Sequence, residues 1–66
     1  VDVRDIRART GLTQVEFARK FGLAVSIVRG WEQRHDRPGR VSRIVLMLID
    51  KQPGAVIDAV QALDGG

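Results

Sequence analysis

Arginine is the residue type in this chain best suited to binding chemistry, and it is concentrated in the middle of the sequence. The chain has nine arginines and two lysines. A guanidinium group can make paired hydrogen bonds to a phosphate or to the edge of a base, which a lysine cannot. Residues 1–20 carry a net charge of +2, residues 21–43 carry +3, and the last 23 residues carry −2. This polarity predicts a basic end that faces a polyanion, and charge scattered over a solvated surface is the alternative.

Residue types that support catalysis or metal binding are scarce. The chain has no cysteine, one histidine (His35), and Ser26 and Ser42 as its serines. A metal site needs several ligands and a catalytic triad needs a nucleophile, a base and an acid. We therefore predict that the protein is not an enzyme and binds no cofactor. The lack of cysteine fits a reducing compartment, and the longest apolar run, residues 44–49, is far shorter than the roughly 20 residues that span a bilayer. A soluble cytoplasmic protein is expected.

The length of 66 residues predicts one domain covering residues 1–66. A chain of this size buries only about 60% of the surface that its unfolded form exposes, so a partner or a dimer interface would add to its stability. Since the sequence begins with Val1 and not with Met, we expect it to be a fragment of a longer protein or to lack its true start.

Capping residues and helical spacing predict an all-α fold of five short helices. Asp2 can cap the first helix and Gly11 can end it. Thr13 and Glu16 have the spacing of a capping box at the start of the second helix, which Gly22 ends. The predicted helices cover about residues 2–10, 13–21, 24–33, 40–51 and 53–63.

Apolar spacing predicts which side of each helix faces the core. In the second helix the apolar residues are Val15, Phe17, Ala18 and Phe21. In the third, Ile27, Val28 and Trp31 are expected to face inward.

The apolar run "IVLMLI" is compatible with a buried strand by periodicity alone. We favour a helix because residues 40–52 are too many for an ordinary strand and do not alternate. Val41, Ile44, Val45 and Leu48 form its apolar stripe. Leu46 and Met47 lie off that stripe, so this helix should be covered on more than one side.

The last predicted helix begins at Pro53, whose missing N–H is tolerated at the first helical position. Its apolar face consists of Val56, Ile57, Val60 and Leu63.

The second and third helices are joined by a short turn that contains Gly22, which is the arrangement of a helix-turn-helix unit. The stretch "LTQVEFARKFGLAVSIVRGWEQRHDRP" resembles the helix-turn-helix of the Cro/cI/Xre family, and the fold that this implies is lambda-repressor-like. The family pattern is Thr/Ser-Gln-x-x-Phe/Leu-Ala, then Gly-Leu-Ser, then Trp-Glu-x-Gly and a later Pro. The matching residues are Thr13, Gln14, Phe17, Ala18, Gly22, Leu23, Trp31, Glu32 and Pro38.

This resemblance implies which residues contact DNA. Base contacts are expected from Ala24, Val25, Ser26, Arg29 and Gly30. Arg29 is the only long donor among them, so we expect it to contact guanine with two hydrogen bonds, while Val25 could meet a thymine methyl group. Phosphate contacts are expected from Thr13, Gln14, Arg34, Arg37, Arg40 and Arg43.

Several of these positions keep a second interpretation. Gln14 and the loop arginines could simply be solvated, and Gly30 could either allow close approach to DNA or have no role there. Ala24 stands where the family has a capping Ser or Thr, which predicts a weakly capped third helix. Trp31 is expected in the core, and Glu32 is expected to pair with an arginine rather than to touch DNA.

The resemblance implies a DNA-binding transcriptional repressor that acts as a dimer on a palindromic operator. The ending "VSRIVLMLIDKQPGAVIDAV" resembles that of HigA- and MqsA-type antitoxins, which implies a toxin partner, repression of the protein's own operon and a place at the bacterial nucleoid. A dimer or partner interface is expected at Leu46, Met47, Val56, Val60 and Leu63. The alternatives are a phage-type or other Xre-family regulator, and a protein-interaction module with little DNA contact.

Overall fold

The computed structural model describes residues 2–65, and within them the chain forms five helices without a strand. The helices are α1 (Val3–Thr10), α2 (Gln14–Lys20), α3 (Val25–Glu32), α4 (Arg40–Lys51) and α5 (Pro53–Gly65). The all-α prediction is confirmed, and each helix begins and ends within two residues of its predicted bounds. Val1 and Gly66, which the predicted domain includes, lie outside the described residues.

The predicted caps are present at the first two helices. The side chain of Asp2 accepts a hydrogen bond from the backbone N–H of Asp5 at 3.2 Å, and Gly11 ends α1 in the left-handed conformation with φ 75°. At α2, Thr13 Oγ1 accepts from the N–H of Glu16 at 3.1 Å, and Glu16 Oε1 accepts from the N–H of Thr13 at 2.9 Å. This reciprocal pair satisfies two donors that a helix start leaves unbonded.

Gly22 makes the tight turn between α2 and α3. Its φ of 69° is left-handed, and the next residue, Leu23, donates its N–H to the carbonyl of Ala18 at 2.8 Å. This is the Schellman arrangement that ends many helices. A Cβ at Gly22 would also lie 3.2 Å from the side chain of Val60, so α5 packs closely over the turn. The result is the predicted helix-turn-helix unit of α2 and α3.

Eight buried apolar side chains form the core, seven from the first four helices and one from Phe21, the C-cap of α2. The Phe17 and Phe21 rings pack against each other with centroids 5.0 Å apart. At the edge of this core, Arg9 Nε donates to Asp50 Oδ1 at 2.7 Å and joins α1 to α4. The buried residues are Val3, Ile6, Phe17, Ala18, Phe21, Val28, Leu46 and Ile49.

Helix α4 packs through a different side from the one that its apolar stripe predicted. Leu46 and Ile49 are buried, while Val41, Ile44 and Leu48 of the stripe are 74%, 50% and 47% exposed. The prediction was wrong for these three residues because α4 is apolar around most of its circumference, and only packing against its neighbours selects the buried side. The side chain of Leu46, which was predicted to contact a partner, is fully buried in the core, and the partner contact stays a prediction.

Smaller differences concern single residues at the edges of apolar faces. Val15 and Ile27 were expected to face inward and are 42% and 47% exposed. At the far end of α5, Leu63 is 85% exposed, whereas Val56 and Val60 are half-buried. Within residues 2–65, every helix is too short or too polar to span a lipid bilayer.

The orientation of α4 can be tested by shortening one side chain on each side of the helix. Leu46→Ala removes buried methyl groups and should lower the free energy of unfolding by about 2–5 kcal/mol. Leu48→Ala makes the same change at a half-exposed site and should cost less than about 1 kcal/mol. Urea unfolding followed by circular dichroism measures both, at protein concentrations low enough for the chain to be monomeric. Equal losses for the two variants would contradict this orientation.

Candidate nucleic-acid interface

The last residue of α3, Glu32, is buried although it carries a carboxylate. Its side chain is 1% exposed and makes two hydrogen bonds with one arginine of α1. Arg7 Nε donates to Glu32 Oε2 at 2.7 Å, and Arg7 Nη2 donates to Oε1 at 2.9 Å. Arg7 Nη1 also donates to the carbonyl of Leu12 at 3.1 Å. The prediction that Glu32 pairs with an arginine is confirmed, and the pair fixes α1 against α3.

Gln14 connects this buried pair to the exposed side of α3. Its Nε2 donates to Glu32 Oε1 at 3.2 Å, and its Oε1 accepts from Arg29 Nε at 3.3 Å. Gln14 was predicted to contact phosphate, and that stays a prediction. The structure adds that both ends of its amide already have partners within the protein.

The exposed side of α3 carries few polar side chains. Ser26 and Arg29 are exposed, whereas Val25 is half-buried against the core. Ala24 precedes the helix and makes no side-chain cap, as its residue type predicted. Trp31 is half-buried against the core, which confirms its predicted place.

The absence of a side chain at Gly30 has a structural explanation that the sequence did not suggest. A Cβ at this position would lie 3.0 Å from Asp36 Oδ2, so the carboxyl group of the following loop fills the space beside the helix. The carbonyl of Gly30 also accepts the backbone N–H groups of His35 and Asp36 at 3.0 and 3.3 Å. A side chain at residue 30 would require the exposed Asp36 carboxyl group to move aside.

Arg34 adopts a backbone conformation that arginine rarely takes. Its φ of 61° is left-handed, and among residues 2–65 it is the one residue other than glycine with a positive φ. The conformation costs a residue with a Cβ roughly 1 kcal/mol relative to glycine. The family pattern Trp-Glu-x-Gly has glycine at this position, so the sequence did contain a signal for the turn.

Four arginines line one open groove of about 470 Å³. Three of them come from the loop after α3 and from α4, and the fourth is Arg4, which was not among the predicted contact residues. Arg4 lies on α1, and its Nε is 3.8 Å from Glu32 Oε1. Asp2, Glu32 and Asp36 also line the groove, so its four arginines and three carboxylates give it a net charge of +1. The predicted phosphate-contacting residues in it are Arg34, Arg37 and Arg43.

Two other predicted phosphate-contacting residues are also exposed. Arg40 is exposed at the first position of α4, and Thr13 is exposed at the start of α2. No group of three His, Cys, Asp or Glu side chains in residues 2–65 is placed to hold a metal ion. The arginines of the groove thus lie beside the C-terminal end of α3.

Comparison with known proteins supports the helix-turn-helix assignment. The chain is similar to the uncharacterized HTH-type transcriptional regulator YiaG of Escherichia coli K12, with 33% identity over 52 residues, which cover 79% of this chain and 54% of that protein. The proteins of the same name from Escherichia coli O6:H1 and O157:H7 match equally well. The chain therefore spans about half the length of the curated relatives it matches. No protein-family model matches it, and no solved structure matches it significantly.

The buried pair should make stability depend on pH. The Arg7 guanidinium, against the opposing effect of burial, holds the pKa of Glu32 below its ordinary value. A carboxyl with a lowered pKa in the folded state stabilises the fold at neutral pH, and this contribution is lost as the pH falls below about 4.3 and through the folded-state pKa. Glu32→Gln should lower the free energy of unfolding at neutral pH by about 3 kcal/mol. The free energy of unfolding of this variant should also fall less steeply than that of the wild type as the pH is lowered.

Urea unfolding across this pH range measures the effect, and Glu16→Gln is the matched control. The capping hydrogen bonds from Thr13 also hold the pKa of Glu16 below its ordinary value, but this carboxylate is exposed. Its removal should therefore cost much less at neutral pH. A Glu32→Gln variant that loses stability in acid as steeply as the wild type would contradict the prediction.

Proposed function

We propose that this chain is the DNA-binding domain of a transcriptional repressor that binds a palindromic operator as a dimer, with α3 in the major groove. The observation that carries the proposal is a helix-turn-helix unit followed by a basic surface. Arg29 is exposed on α3, and Arg34, Arg37 and Arg43 line the groove at the end of that helix. The description of the YiaG relatives as transcriptional regulators supports the same function.

The proposed division of roles follows the side chains that α3 and its surroundings present. Arg29 and Ser26 contact base edges, and the small exposed side chain of Ala24 allows the start of the helix to lie close to the groove. Arginine can bond both acceptors of guanine, while a hydroxyl discriminates little. Phosphates are contacted by Thr13, Arg34, Arg37, Arg40 and Arg43, and these contacts carry no sequence information themselves. The family resemblance adds Gln14, whose amide is already bonded at both ends within the protein.

We further propose that the dimer forms through the exposed face of α4. Val41, Ile44, Met47 and Leu48 are each at least 45% exposed, and together they leave an apolar stripe without a partner in the described chain. A second copy can cover this stripe with the same residues, because a two-fold interface is formed by one patch facing itself. A domain this small gains stability when such a face is covered.

The narrower proposal is an antitoxin of a type II toxin–antitoxin module that represses its own operon. It rests on the resemblance of the α4–α5 segment to HigA- and MqsA-type antitoxins. Half-buried Val56 and Val60 and exposed Leu63 give α5 further apolar surface for the toxin. A phage-type or other Xre-family regulator is the alternative, and it would have no toxin partner. Either protein would act in the cytoplasm, at the nucleoid.

Salt dependence of DNA binding tests the proposed function. Duplexes are selected with the wild-type chain from a library with a randomised core, and binding is measured by fluorescence anisotropy over a range of salt concentrations. Each phosphate contact adds about −0.9 to the slope of log K against log salt, so the four loop and α4 arginines predict roughly −3.6 per protomer. A slope near zero, or no selected sequence, would overturn the proposal.

Arg34→Gly is a suitable variant for this titration because it cannot lose affinity through unfolding. Glycine adopts the left-handed backbone of residue 34 without strain, so the variant should be more stable than the wild type by about 1 kcal/mol. At the same time it lacks one cation, and the slope should become less negative by about 0.9. Arg19→Ala, which removes an exposed cation near the end of α2 and outside the proposed contacts, is the control for net charge.

The dimer is tested by a charge on the α4 stripe. Ile44→Glu should make the chain monomeric in sedimentation equilibrium at concentrations where the wild type is dimeric, with its helical signal unchanged. Val15→Glu places the same charge on α2 at a valine that is 42% exposed, against 50% for Ile44, and should leave the dimer intact. A wild type that stays monomeric with and without DNA would overturn the dimer and favour a protein-interaction module.

A further inference from the structure

A line of hydrogen bonds runs from the buried ion pair to the surface of α3. Glu32 Oε1 accepts from Arg7 Nη2 at 2.9 Å and from Gln14 Nε2 at 3.2 Å. Gln14 Oε1 in turn accepts from Arg29 Nε at 3.3 Å. The line crosses three helices, since Arg7 lies on α1, Gln14 on α2, and both Glu32 and Arg29 on α3. It ends on the exposed side chain of Arg29.

The direction of the Gln14 amide in this line is fixed by chemistry. An ionised carboxylate can only accept hydrogen bonds, so Gln14 must turn its NH₂ group toward Glu32. Its oxygen then faces the other way, where only a donor can bond to it. Arg29 has donors and no acceptor, and it supplies that bond. A flipped amide would place like groups against each other at both ends.

The bond to Gln14 also limits how Arg29 can meet a base. A guanidinium can approach the two acceptors of guanine through its terminal Nη groups or through Nε and one Nη. Because Nε already donates to Gln14, the terminal pair remains for the base. Holding one end of a long exposed side chain also reduces the conformational freedom that is lost on binding.

We propose that Gln14 is a positioning residue for Arg29 and that Glu32 sets the direction of the Gln14 amide. The group that Arg29 contacts is the O6 and N7 acceptor pair of one guanine in each half-site. The proposal rests on the proposed function, since it requires α3 to enter the major groove. It gives Gln14 a role in specificity in place of the phosphate contact that the family resemblance implies.

A double-mutant cycle separates the two roles of Gln14. The probes are a duplex selected with the wild-type chain and the same duplex with adenine in place of the guanine that Arg29→Ala affects most. Arg29→Ala should lower the preference for guanine by roughly ten- to hundredfold. Gln14→Leu keeps the size of the side chain without its hydrogen bonds, and we expect a loss of roughly three- to tenfold. The double variant should lose no more than Arg29→Ala alone.

Two results of the cycle would overturn the proposal. One is independent losses that multiply in the double variant. The other is a Gln14→Leu variant that binds the selected and the random duplexes more weakly by the same factor, as a phosphate contact would. Arg43→Ala is the matched control, because its loss should be equal on all duplexes and should multiply with that of Gln14→Leu.

A measurement without DNA keeps this proposal distinct from the proposed function. Nuclear magnetic resonance of the free protein follows hydrogen exchange at the Nε–H of each arginine. The Arg29 Nε–H should exchange more slowly in the wild type than in Gln14→Leu, while the Arg43 Nε–H should be unchanged. Equal exchange at Arg29 in both proteins would refute the positioning role. A wild type that binds no duplex would refute DNA binding, whatever the exchange rates are.

Discussion

Glu32 ends α3 on its buried side, and the arrangement of the first three helices depends on how its charge is compensated. Arg7 donates two hydrogen bonds to the carboxylate and a third to the carbonyl of Leu12. A buried ion pair adds little stability compared with apolar residues of the same size, but the loss of one partner leaves an uncompensated charge. The pair therefore favours one packing of α1 against α3 over its alternatives.

The position of Glu32 also determines what α3 can expose. Val25, Val28 and Glu32 recur at helical spacing and turn toward the protein, so Ser26 and Arg29 are left on the outer side with Ile27. Gly30 is flanked by the carboxyl group of Asp36 and offers no side chain. In the proposed complex such a helix makes few base contacts. Affinity then depends on phosphate contacts, and specificity depends on one guanidinium, half-site spacing and DNA shape.

Most of the fold could be predicted from the sequence because its signals are local. The Thr13 and Glu16 capping box and the left-handed Gly22 are formed by neighbouring residues, and the helix bounds follow from them. The buried side of α4 could not be predicted, since both of its sides are apolar and contacts with other helices select between them. The bond between Gln14 and Arg29 joins residues 15 apart on two helices, and no sequence pattern indicates it. The left-handed backbone at Arg34 could have been predicted from the sequence, because the family pattern has glycine at that position.

Helix α4 links the two surfaces on which the proposed function depends. It begins at Arg40 beside the basic loop and continues as the exposed stripe that includes Ile44 and Leu48. Its 12 residues span about 18 Å in a single rigid element. If two copies pair through this stripe, the distance between their loop cations is fixed by the helix and not by a flexible linker. Because α3 has few base-contacting side chains, this fixed distance would supply much of the selectivity for one operator spacing.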